Sequence, residues 1–156
     1  MEIRDYKDIF LKLNSTSIAF ILLLAVSVIC PGCLYFYLYQ PDMFFKIDVS
    51  KLILISIAIT LPFYCFNTGV YYFLETFSNG KETDKIFDKI YFASINGAGT
   101  NVILFYLSLV IFIKEDYSLI AFLQRITFTE IVIVGFLVVI YSWRTWSNKK
   151  KNKQAK

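Results

Sequence analysis

Residues 17–39 read SIAFILLLAVSVICPGCLYFYLY, a run without one charged side chain. About 20 predominantly apolar residues of helix cross the hydrocarbon core of a bilayer, so this stretch is long enough to span one. Two further uncharged stretches follow at 52–74 and 92–113, and a fourth, at 126–146, holds Glu130 inside it and Arg144 near its end. Together they occupy most of the 156 residues and leave too little chain for a soluble domain. The expected fold is therefore all-α, a polytopic membrane protein with a four-transmembrane-helix bundle at 17–146. The first block is read as a retained span, because Ser27, Val28 and the bulky Ile29 before Cys30 offer no small-residue processing site.

Composition supports this reading. Hydrophobic residues make up 57% of the chain, mean hydropathy is +0.58, and the apolar residues come in blocks where a water-soluble core would show them periodically. The net charge of +4 comes from Lys and Arg in short loops and at the C-terminus, beside the apolar blocks. These basic residues read as topology signals, and no direct binding of nucleic acid is expected. The abundance of Ile, Phe, Tyr and Lys with little Ala, Gly and Pro fits an AT-rich coding sequence of bacterial or mobile-element origin.

Basic residues fall in alternate loops. Arg4, Lys7 and Lys12, then Lys81, Lys85 and Lys89, then Arg144, Lys149, Lys150, Lys151, Lys153 and Lys156 lie on one side; Lys46, Lys51 and Lys114 lie on the other, with Arg125 at a boundary. The positive-inside rule then places both termini in the cytoplasm of a bacterial inner membrane. Ile3, Tyr6, Ile9, Phe10 and Leu13 recur at helical spacing among charges, so 1–16 is expected to form an amphipathic helix on the membrane face. Asn79-Gly80 marks a turn, and 147–156 reads as a disordered basic tail drawn to anionic lipid.

Four features stand out within the spans. Cys30-Pro31-Gly32-Cys33 places two cysteines at C-x-x-C spacing, which can cycle between dithiol and disulfide or simply fill space as small apolar side chains. Pro31, Gly32 and Pro62 fall at similar depth in spans 1 and 2 and are expected to kink both helices. In span 3, Ala93, Gly97, Thr100, Asn101, Leu104 and Ser108 share one face at 100° per residue, a small-xxx-small ridge with polar residues added. That face is read as a packing surface through which copies of the chain also associate, with Asn67 and Asn96 making polar contacts between spans 2 and 3. Its rival reading is a polar path through an oligomer. Finally, Thr127-Phe128-Thr129-Glu130 matches a capping box, which would put Glu130 within a turn of the outer surface. Span 4 would then begin near Phe128, after an interfacial or re-entrant segment at 117–124.

The chain has no histidine, no dense carboxylate cluster and no phosphate-binding loop, so neither metal nor cofactor is expected. The C-x-x-C pair near the outer end of span 1 resembles that of the bacterial disulfide-bond oxidases that pass electrons to quinone. Those enzymes also need a second cysteine pair in the second outer loop, and 114–125 contains none. The plan of four spans, inward termini and the basic tail at Lys149, Lys150 and Lys151 resembles the immunity proteins of pore-forming bacteriocins. It is also similar to small membrane subunits of anti-phage systems such as Kiwa. These resemblances imply a non-enzymatic membrane sensor or effector, whose partners are the lipid bilayer, other copies of the chain and a soluble cytoplasmic protein. A thiol oxidoreductase using Cys30 and Cys33, and a small channel or holin-like pore, are the alternatives.

Overall fold

Backbone amides and carbonyls that enter a bilayer find no water to bond, so an uncharged span must satisfy them within its own helix. The computed structural model describes residues 3–79, 86–111 and 118–154, which are helical apart from short connections. α1 runs over Ile3–Tyr39, a short α2 over Pro41–Lys46, α3 over Val49–Asn79, α4 over Ile86–Ile111 and α5 over Leu119–Gln154. Within them Ser17–Tyr39, Val49–Phe77, Asp88–Ile111 and Leu119–Lys151 are each long and apolar enough to cross a membrane. The fold is all-helical, and the protein is a multi-pass membrane protein of four spans.

Burial differs from that of a protein folded in water, since polar side chains share the interior with Tyr35, Leu104, Phe105 and Ile126 while large apolar ones cover the outside. Ser27, Ser56, Thr60, Asn67 and Asn101 are fully buried, whereas Phe45, Leu54, Ile120, Phe136 and Val139 are exposed. In lipid, an outward phenylalanine costs nothing and an inward serine or asparagine finds its hydrogen bonds between helices. α4 is central, with 50% of its most apolar window buried, and packs on α1 and α3; α5 lies against α3 and α4 with 17% buried. One end of the bundle is filled by aromatic packing, with the Tyr35 ring stacked on Phe122 at 4.0 Å between centroids and Phe63 edge-on to Phe105. There the Tyr39 hydroxyl donates to the Leu109 carbonyl at 3.0 Å. At the other end Phe20 meets Tyr91, and Tyr71 meets Tyr141. The start of the first span and the far part of α5 therefore share one end.

Three boundaries differ from the sequence expectation. α1 is one helix from Ile3, so no separate surface helix precedes the span, and the side chains of residues 3–16 lie outside the described set. α5 continues as helix to Gln154 through the tail expected to be disordered. From residue 136 to 154 there is no Gly or Pro to stop it, and a basic run at a helix C-terminus complements the macrodipole. α5 also begins at Leu119, where residues 119–124 form its first turns in place of an interfacial or re-entrant segment. The Gly80 turn, Lys81, Lys85, Lys114 and Lys156 lie outside the described residues.

Candidate functional site

The polar interior begins at a proline. Pro31 lies inside α1 and has no N–H, so the Ser27 carbonyl four residues earlier loses its helical donor. Asn101 on α4 supplies one: its Nδ2 donates to the Ser27 carbonyl at 2.6 Å. The next carbonyl, that of Val28, accepts from the Thr60 hydroxyl of α3, which also bonds the Ser56 carbonyl of its own helix. Two successive α1 carbonyls before the proline thus each accept from a neighbouring helix, and the bond from Asn101 replaces the donor that Pro31 removes. Pro62 is likewise enclosed in a continuous α3.

Two glycines allow the backbones to close. A Cβ added at Gly32 would fall 2.6 Å from the Ser56 Cβ, and one at Gly97 would fall 2.5 Å from Thr68 Oγ1 and 2.9 Å from the Thr68 nitrogen. One helical turn away the Tyr71 and Thr100 hydroxyls are hydrogen-bonded at 2.9 Å. Ala93, Gly97, Thr100, Asn101, Leu104 and Ser108 are all buried. The face expected to hold a second copy is therefore covered by the chain's own helices, because small residues attract whichever helix is nearest. Asn96 makes no link to span 2: its Nδ2 returns to the Phe92 carbonyl of its own helix at 3.0 Å.

Asn67 turns to α5 instead of α4, and there it meets Glu130. The capping-box assignment of Thr127 and Glu130 is overturned. The Thr127 hydroxyl donates to the Leu123 carbonyl at 2.8 Å, as a residue inside a helix does. The helix start is capped by Ser118, whose Oγ accepts the Ala121 N–H at 3.3 Å. Glu130 follows Leu119 by eleven residues, about 16 Å along the axis at 1.5 Å per residue, and lies well inside the apolar segment Leu119–Lys151. It is 4% exposed and Asn67 is 0% exposed. Asn67 lies close enough to act on the Glu130 carboxyl, yet neither side chain closes a hydrogen bond of ordinary geometry. An ionisable side chain buried in a span is costly, which makes this pair the candidate site.

The cysteines are placed differently. Cys30, Cys33 and Cys65 are all free; Cys30 and Cys65 face outward, and the Cys33 sulfur lies 3.7 Å from the Ser56 hydroxyl. Among the described residues, no three His, Cys, Asp or Glu side chains converge as a metal site. The sequence does not single out Ser27, Thr60 or Ser118 for these roles; only Ser27 carries a signal, since the carbonyl that Pro31 frees requires a donor from another span.

What these features define is a membrane-embedded helical bundle with a buried acid–amide pair. No protein-family model, no curated protein and no solved structure matches the chain.

Proposed function

We propose that the protein is a non-catalytic sensor or effector subunit of a bacterial inner-membrane defence or immunity system, with both termini in the cytoplasm. The observation that supports this most is the Glu130–Asn67 pair, buried between α3 and the least enclosed span, α5. α5 has 36 residues, about 54 Å of helix, against a hydrocarbon core of about 30 Å. It therefore joins a polar contact inside the bilayer to a basic helical extension beyond it, carrying Lys149, Lys150 and Lys151. A change at the pair, from an ion, a proton or an incoming peptide, alters how α5 rests on α3, and the extension presents that change to a soluble partner.

The test is protection. Cells carrying this chain with its neighbouring genes are challenged with a phage panel and with pore-forming bacteriocins. The wild type lowers killing by at least one challenger, and Glu130→Leu, inserted at equal level, abolishes the effect. Absence of protection by the wild type against every challenger overturns the proposal.

A further inference from the structure

α3 and α5 touch along part of their length and then leave a cleft between them in the half of the bundle where the chain ends emerge. Its longer part, about 560 Å³, is walled by apolar side chains such as Phe66, Phe73, Val134 and Val138, with Gly69 at one wall. This volume lies within the range of small-ligand sites, about 300–1,000 Å³. A second part, about 370 Å³, continues from it through the shared residues Leu74, Phe77 and Ser142, and ends at Thr145, Trp146 and Lys149. The cleft is thus amphiphilic along its length, greasy toward the bilayer centre and hydroxyl-bearing, aromatic and cationic at its mouth.

We infer that this cleft is a binding site for one anionic phospholipid from the leaflet on the side of the chain ends. The apolar part takes an acyl chain, and the mouth takes the phosphate headgroup. Charge selects the class. Arg144, Lys150 and Lys151 surround Lys149 on the same helix end, with the Lys150 ammonium 5.5 Å from the Trp146 ring centre. Glu75 of α3 and Arg144 both lie near enough to act on Tyr141, and this one carboxylate against Arg144, Lys149, Lys150 and Lys151 leaves this end of α5 net positive. Among the donors at the mouth, the Ser142 hydroxyl, the Trp146 indole N–H and the Lys149 ammonium suit a phosphate oxygen, whereas a zwitterionic headgroup adds an ammonium that this mouth repels. The inference holds whichever side of the membrane the ends occupy, and so stands apart from the functional proposal above.

Native mass spectrometry of the full chain, equilibrated in detergent with equimolar phosphatidylglycerol and phosphatidylcholine, tests it. One phosphatidylglycerol is retained per chain, favoured roughly fivefold, as one lysine at an anionic surface provides at about 1 kcal/mol. Lys149→Gln removes the preference, and Lys151→Gln leaves most of it. Gly69→Leu lowers retention of both lipids, because a Cβ there meets nothing within 4 Å and the longer side chain grows into free space. Equal retention of the two lipids by the wild type overturns the site. So do equal effects of Lys149→Gln and Lys151→Gln, undiminished retention by Gly69→Leu, or a lipid-free dimer that Gly69→Leu disperses.

Discussion

The repair of α1 around Pro31 sets up a double-mutant cycle. Replacing Asn101 by Leu keeps the side-chain volume similar but removes the donor that serves the Ser27 carbonyl at 2.6 Å. That carbonyl has no helical N–H to fall back on, since residue 31 is proline. Asn101 is fully buried, so water cannot take its place. An unsatisfied buried acceptor costs about 1–3 kcal/mol, and measured interhelical hydrogen bonds in membranes are worth about 0.6 kcal/mol, up to about 1.7. Asn101→Leu is therefore expected to destabilise by about 1–1.5 kcal/mol. In a Pro31→Ala background residue 31 regains its N–H and can serve the Ser27 carbonyl itself. The same Asn101→Leu change should then cost less, by a coupling of about 0.5–1 kcal/mol. Unfolding in mixed micelles followed by circular dichroism provides the four free energies. Additive effects of the two substitutions would show that Asn101 does not stand in for the missing donor.

Gly97→Ala pushes a Cβ against Thr68 backbone atoms and should cost about 1–3 kcal/mol of packing strain, whereas Gly99→Ala, whose Cβ meets nothing within 4 Å, should be neutral or stabilising in the same assay. Ser118→Ala removes the α5 cap and should cost about 1 kcal/mol, while Thr127→Ala, inside the helix, should cost a few tenths; the reverse order would restore the capping box. Glu130→Gln, which keeps the shape and a hydrogen-bonding group beside Asn67, should preserve stability better than Glu130→Ala, which leaves Asn67 facing a void; thermal melts of the two variants in detergent decide it.

The spans and the small-residue face of α4 were legible because both depend on short-range pattern, on runs without charge and on residues repeating at helical spacing. What that face packs against was not legible, since a glycine ridge admits a helix of the same chain as readily as one from another copy. Glu130 was misplaced for a related reason. T-x-x-E describes a helix start and equally occurs inside a helix, and the facts that separate the two are Ser118, nine residues upstream, and Asn67, on another span. The Pro31–Asn101 relation lay within reach, because a proline inside a span always frees a carbonyl. The partner that serves it depends on which helices are neighbours, and spacing along one chain does not contain that. The helical extension of α5 is masked in the sequence by its lysine run, although no Gly or Pro stands between residues 136 and 154 to stop the helix.

Cysteine accessibility tests whether Glu130 sits inside the bilayer between α3 and α5. In a chain whose own cysteines are replaced by serine, Glu130→Cys and, separately, Lys149→Cys are exposed to a water-soluble maleimide in intact membranes and again after denaturation. Position 149 is expected to label in membranes opened to both sides, and position 130 after denaturation alone. Ready labelling at position 130 in native membranes would instead place this residue at the surface, outside the α3–α5 contact.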